Sequence, residues 1–301
     1  MLDRSALHGF FPAVVTPFTP EGEIREDAFL QIVDHMLSIG AAGVCVAGDN
    51  GESWALSAAE RGRLTRIAVD RVAGRVPVMT GCSAPTFGAA LAYARAAEEN
   101  GAAALLSMPP TYVLKATADE LAGRFEKLGK ATALPIVAYN SPRRAGFGLR
   151  VQDVAAICDV APIIGIKESD RDFFHHTHLL ERLRDRIAIM VGPSHYIFPG
   201  IALGAHGFIA TGPELLGADA GRIAALARAA PSAESAGLHY RLTVLYELLM
   251  GTATWPAALK AALTIDGLPA GVPRDPVSAA TPADMDRIRA TLDRLGIGRA
   301  A

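Results

Sequence analysis

The sequence is poor in cysteine, in aromatic residues and in charge of either sign. Three cysteines occur in 301 residues, Cys45, Cys82 and Cys158. They are scattered, and they make neither a disulfide framework nor a zinc ligand set. That usage suits a reducing compartment and predicts a cytoplasmic protein. Aromatic residues make up 6% of the chain and charged residues 20%. Basic and acidic side chains nearly cancel, 29 against 31, for a net charge of −2. No basic surplus points to nucleic acid, and no acidic tail is present. No apolar run reaches the roughly 20 residues that a membrane span needs. The opening MLDRSALHGFFPAVV carries an acid and lacks a small-residue cleavage pattern, so no signal peptide is expected. HExxH, Walker and Gly-x-Ser-x-Gly signatures are also absent.

Apolar residues are plentiful. They form half of the chain, which excludes a disordered protein. At roughly 150 residues per domain the length allows two domains, but a single α/β barrel of about 250 residues fits as well. Eight short apolar runs decide between these. They start at Phe10 (FFPAVVTPF), Gly43 (GVCVAG), Pro77 (PVMTG), Ala103 (AALLSMP), Pro135 (PIVAYN), Ile163 (IIGIKE), Ile187 (IAIMVG) and Gly207 (GFIAT). Each is apolar on both alternating faces, as parallel strands buried on both sides are. Spacings of about 20 to 34 residues leave room for one helix between neighbours.

Helix signals fall in those gaps. Ser57 with Glu60, and Thr117 with Glu120, have capping-box spacing. Gly40, Gly74, Gly101 and Gly204 follow helical patterns, where a left-handed residue ends a helix. Eight β–α units in series predict a (β/α)₈ TIM barrel over residues 1–230. A doubly wound open sheet would usually carry a glycine-rich phosphate turn after strand one; here that strand runs into Thr16-Pro17-Phe18. Residues 231–301 read as a C-terminal helical extension packed on the barrel, with Pro256 in a first helical turn.

Functional residues of such barrels lie at the C-terminal ends of strands. Lys167 ends the apolar strand IIGIK, where a charge is costly to bury. Burial lowers a lysine pKa and yields an amine able to attack a carbonyl. The alternatives are a lysine reaching solvent or one paired with Glu168. Tyr139 ends the neighbouring strand, where a phenol can shuttle a proton. Arg144, just beyond, can clamp a carboxylate bidentately, although Arg143 beside it leaves open which of the two faces the site. The Gly48-Asp49-Asn50-Gly51-Glu52 turn offers backbone N–H groups, and its glycines permit a tight anion-holding bend. His175, His176 and His178 could suggest a metal site. On a helix, however, adjacent histidines point about 100° apart, so no metal is assigned.

Taken in order, the motifs resemble one family. They are FPAVVTPF from Phe11, G-x-x-G-E at Gly48–Glu52, and PPTY at Pro109–Tyr112. Y-N-x-P at Tyr139–Pro142, GIKE at Gly165–Glu168 and G-x-x-G-F-I-A at Gly204–Ala210 follow. This set resembles the dihydrodipicolinate synthase / N-acetylneuraminate lyase family of class I, pyruvate-type aldolases. The resemblance implies that Lys167 forms a Schiff base with a 2-oxo acid such as pyruvate, with no other cofactor. It implies that Tyr139 donates and accepts the proton, and that Tyr112 joins a relay in a neighbouring subunit's site. Arg144 would bind a carboxylate of the second substrate, and the backbone of Ile209 would face the 2-oxo acid. A homodimer or homotetramer is expected, without nucleic-acid or membrane partners.

Two positions depart from that family. The middle of the G-x-x-G-E turn is usually Thr-Thr in the synthase branch and Ser-Thr in the lyase branch, whereas here it is Asp49-Asn50. Asn50, with Gly51, can still hold a carboxylate through N–H donors. Asp49 cannot replace a hydroxyl in the relay, and becomes a candidate general base. After strand seven, Gly192-Pro193-Ser194-His195-Tyr196 replaces the usual G-D-[DE] pattern, which alters the wall facing the second substrate. The expected function is a Schiff-base lyase or synthase acting on a 2-oxo acid. The alternatives are a genuine 4-hydroxy-tetrahydrodipicolinate synthase, a metal-dependent aldolase, or a non-catalytic 2-oxo-acid-binding barrel.

Overall fold

The computed structural model describes residues 2–112 and 115–298. All eight apolar runs contain a strand. They are β1 (Gly9–Phe10), β2 (Val44–Val46), β3 (Val78–Gly81), β4 (Ala104–Ser107), β5 (Ile136–Asn140), β6 (Ile163–Glu168), β7 (Ala188–Val191) and β8 (Gly207–Phe208). All pairings are parallel, in the order β1-β8-β7-β6-β5-β4-β3-β2. The ring closes between the first and second runs, where Ala13 bridges Cys45. There the Cys45 N–H donates to the Pro12 carbonyl at 2.9 Å, and the Val14 N–H donates to the Cys45 carbonyl at 3.0 Å. β1 is shorter than its apolar run because Pro12 has no N–H to give to a ladder.

The helices fill the gaps. They are α1 (Glu26–Ser38), α2 (Ala58–Val72), α3 (Phe87–Glu99), α4 (Ala118–Ala131), the single turn α5 (Pro142–Ala145), and α6 (Val151–Val160). α7 (Phe173–Leu183), α8 (Ile197–Ala202) and α9 (Asp219–Arg228) complete the barrel. Both capping boxes form, at Ser57/Glu60 and Thr117/Glu120. Gly40, Gly74, Gly101 and Gly204 all have positive φ, which a glycine adopts without the steric cost of a Cβ. α10 (Ala233–Gly251), α11 (Ala257–Ile265) and α12 (Pro282–Arg294) follow. Pro256 lies one residue earlier than the sequence suggests: it caps α11 rather than entering its first turn. No helix among the described residues is long and apolar enough to cross a membrane.

Strand alternation divides the core in two. Ile136, Ala138, Ile166, Ile189 and Val191 face outward to the helices. Val137, Tyr139, Met190, Met79, Leu106 and Phe11 face inward and fill the barrel. The interior is thus a packed layer of side chains rather than a pore. A side chain at a strand's C-terminal end rests on that layer.

Candidate active site

Lys167 is placed by the period-2 alternation of β6. It pairs in register with Tyr139 of β5 and with Met190 of β7, both inward-facing. Its side chain is only 5% exposed. Nζ sits 4.4 Å from the centre of the Tyr139 ring. Glu168, the next residue, points to the helix side. Its carboxylate accepts from Asn140 Nδ2 at 3.0 Å and from the Asp170 N–H at 2.6 Å. Lys167 therefore neither reaches solvent nor pairs with Glu168. The expectation of a lowered pKa is overturned. Burial does push the amine down, but the Tyr139 phenol, the Cys45 thiol and the Asp49 carboxylate act the other way and hold it above the ordinary lysine value.

The Gly48–Glu52 turn is clamped from three sides. Below it, the fully buried Arg61 of α2 donates from Nη1 to the carbonyls of Gly81 (2.8 Å) and Ala47 (3.3 Å). Thr16 Oγ1 donates to the Gly51 carbonyl at 2.9 Å. From the C-terminal region, Lys260 of α11 forms an ion pair with Glu52, both buried. The Arg274 N–H donates to the same carboxylate at 2.8 Å. The glycines serve closeness rather than handedness. The left-handed residues are Ala47 (φ 52°) and Glu52 (φ 56°), whereas a Cβ on Gly51 would meet the Val14 carbonyl oxygen at 2.9 Å.

This clamping aims Asp49 and Asn50 across the barrel mouth. Asn50 exchanges hydrogen bonds with Thr211, Nδ2 to Oγ1 at 3.1 Å and Oγ1 to Oδ1 at 3.2 Å. Asp49 meets Arg144 in a bidentate pair: Nε to Oδ1 at 2.9 Å and Nη2 to Oδ2 at 3.0 Å. Arg144 also lies over the Trp54 ring, 5.9 Å from its centre.

One cavity of about 50 Å³ joins most of the expected residues. Lys167, Tyr139, Asp49, Asn50 and Arg144 line it, together with Gly192 and Ile209. Gly192 must lack a side chain, because a Cβ there would meet Ser169 Oγ at 2.0 Å. Two expected residues stand apart. Gly51 is not among the residues that line the cavity, and Tyr112 is 97% exposed at φ 68°. Six more residues line the cavity: Ser141 and Ser169, which stand at strand ends where the sequence gives them no role, and Thr211, Tyr246, Met250 and Trp255, which it does not place at the site. The last three come from α10 and the segment after it, so the C-terminal region forms part of the cavity wall. Thr211 directly follows the G-x-x-G-F-I-A motif, and that adjacency is the signal that could have found it.

The histidines lie on the helix side of β6. His175, Glu168 and Asp170 each offer a ligand atom within 4.8 Å of the others, although Glu168 already accepts from Asn140 Nδ2 through both oxygens. Burial pushes the Glu168 carboxyl up to about 8. His176 is buried with its pKa pushed down to about 4 by desolvation, and His178 lies 3.5 Å from Glu181. None of the three histidines lines the Lys167 cavity.

Comparison with known proteins identifies the family. The model of the dihydrodipicolinate synthetase family matches residues 6–295. The chain is 33% identical to a 4-hydroxy-tetrahydrodipicolinate synthase of Methanopyrus kandleri over 299 residues, 97% of each chain. It is 33% identical to one of Sorangium cellulosum over 302 residues, spanning all of both. The crystal structure of a dihydrodipicolinate synthase from Thermotoga maritima superimposes with a TM-score of 0.90 at 26% identity, covering 96% of this chain and 98% of that one. The chain belongs to the dihydrodipicolinate synthetase family, whose members are class I aldolase-type lyases.

Proposed function

We propose that the protein is a Schiff-base lyase or synthase that acts on a 2-oxo acid such as pyruvate. One observation carries this reading: a buried lysine opens, beside a phenol, onto a cavity that also holds neutral hydrogen-bond donors. Lys167 rests as an ammonium and must lose a proton before it attacks. Tyr139 is the neighbour that relays it. The free amine adds to C2 of the 2-oxo acid, and the phenol protonates the carbonyl oxygen to give a carbinolamine. Loss of water leaves an iminium, which withdraws electrons from C3 so that a C3 proton departs and an enamine forms. The enamine carbon then attacks an aldehyde, or in reverse is what C–C cleavage leaves behind. Asn50 and the N–H groups of its turn hold the 2-oxo acid's carboxylate, and Arg144 guards the second-substrate side.

In the same reading Lys167 itself is the covalent group, and no resident cofactor takes part. Tyr112 is offered outward to the site of a neighbouring copy in a cytoplasmic homo-oligomer. Asp49, close enough to Lys167 to influence its charge, belongs to the proton path or to substrate selection. Borohydride reduction with pyruvate should leave a stable carboxyethyl adduct on Lys167, located by peptide mass. No adduct with pyruvate or several other 2-oxo acids would end this reading.

A further inference from the structure

The site contains an arginine that its own chain has already engaged. Nε and Nη2 of Arg144 form the edge with which an arginine grips a carboxylate. Here that edge holds Asp49 at 2.9 and 3.0 Å. Trp54 covers one face of the guanidinium. An incoming carboxylate gains little from such a group, since it must displace Asp49. The displaced carboxylate then stays in the same partly buried pocket, where like charges repel more strongly than in water.

The remaining lining groups on this side are neutral. Ser141 and Ser169 offer hydroxyls, and Trp255 offers an indole N–H that has no hydrogen-bond partner. Arg143 is the other arginine of the lining, and it lies at the exposed rim with Nη1 3.6 Å from Met250 Sδ.

From this arrangement, and resting on the Schiff-base reading above, we infer that Asp49 is a specificity determinant: by holding Arg144 it reserves the enamine for an uncharged aldehyde and turns away aldehydes that carry a carboxylate. The 33%-identical relatives bear the name of one particular synthase. The Asp49–Arg144 pair separates this chain's choice of second substrate from a simple transfer of that name.

The test compares two aldehydes of equal chain length, butanal and succinic semialdehyde, as acceptors of the pyruvate enamine. The wild-type enzyme should favour butanal in kcat/KM. Asp49→Asn releases the Arg144 edge and should shift the ratio toward succinic semialdehyde by at least about tenfold. Arg144→Gln strands Asp49 without its partner and should shift the ratio the opposite way. A merely structural role would depress both aldehydes alike and leave the ratio fixed. If Asp49→Asn loses all turnover, the Arg144→Gln ratio decides alone. Where neither aldehyde adds, the pair is compared as inhibitors of deuterium exchange into the pyruvate methyl group, which reports the enamine alone. A wild-type preference for succinic semialdehyde, or ratios unmoved by both substitutions, overturns the inference, and would point to Arg143 as the group that receives the anion. Failure of borohydride trapping is a separate outcome that removes the Schiff-base reading itself.

Discussion

Two lysines are almost fully buried in this protein, Lys167 at 5% and Lys260 at 1% exposure, each beside an aromatic ring, and they differ in their partners and in their protonation. Lys260 is saturated. Its Nζ pairs with Glu52, donates to the Val272 carbonyl at 2.7 Å and lies 4.6 Å from the centre of the Phe18 ring. Lys167 has no carboxylate or carbonyl partner among the described residues, and opens onto a cavity beside Tyr139. Their protonation runs against the simple rule that burial lowers a lysine pKa and so makes a nucleophile. Lys260 obeys it: desolvation, aided by nearby Arg274, outweighs Glu52 and pushes it down to about 8. Lys167 does not obey it. The depressed pKa thus falls on the saturated lysine, and under the proposed mechanism it is access to a cavity beside a phenol that sets Lys167 apart.

The largest expected effect breaks the pair apart chemically. Lys167→Ala should abolish the pyruvate adduct under borohydride and lower turnover by a factor on the order of 10⁴ or more, as loss of a covalent nucleophile does. Melting temperature should hardly change, because the deleted group lies in a cavity. An adduct that persisted in this variant and mapped to Lys260 would reverse the comparison.

Lys260→Ala should do the converse. It leaves the Glu52 carboxylate buried without its cation, which costs roughly 3–5 kcal/mol. Urea denaturation measures this. The double variant Lys260→Met with Glu52→Gln removes both charges and should recover most of the loss. Because Glu52 ends the turn that carries Asp49 and Asn50, activity in Lys260→Ala should fall through a raised KM for pyruvate, with trapping at Lys167 retained. A variant as stable as the wild type would show that the ion pair does not hold the turn.

Tyr139→Phe sharpens the other side. The ring that packs beside Lys167 remains while the phenol oxygen goes. Turnover should drop about 10²- to 10³-fold, within the usual range for a lost proton-transfer group, and the fold should be untouched. Stopped-flow formation of the imine should slow in parallel. Equal rates in wild type and variant would take the proton path away from Tyr139.

These expectations draw unequally on the sequence. The barrel is legible because strand runs buried on both faces, capping boxes and helix-ending glycines all act within a few residues. Lys167, Tyr139 and Arg144 are legible because strand ends are fixed positions in such a barrel. The direction of the Lys167 pKa is not, since Tyr139 is joined by Cys45 of β2 and Asp49 of the turn that follows it, both over a hundred residues away in sequence. Nor is the partner of Arg144: sequence assigns it a substrate carboxylate, and the fold assigns it Asp49. Tyr246, Met250 and Trp255 are illegible for a similar reason. They sit in a region whose helices read as packing, and only its return over the barrel mouth turns them toward Lys167. Glu52 and Lys260 likewise meet only in three dimensions.

The smallest effect is a change in the slope of stability with pH, and here the two lysines carry opposite signs. Lys260 titrates near 8 when folded and near its ordinary value of 10.5 when unfolded. Between those limits the unfolded chain binds more protons, so stability gains as pH rises through this window. The slope from one such group cannot exceed about 1.4 kcal/mol per pH unit. Lys167 is raised when folded, so its contribution is complete below 10.5 and is lost only above that. The buried thiols of Cys45 and Cys82, pushed up to about 11 from 9.0, oppose the Lys260 gain, and the raw curve therefore hides it. The difference between wild type and Lys260→Met, measured by urea denaturation from pH 7.5 to 10.5, removes their contribution. That difference should grow in favour of the wild type as pH rises. A difference constant with pH would mean that Lys260 keeps its ordinary proton affinity, with Glu52 fully compensating its burial.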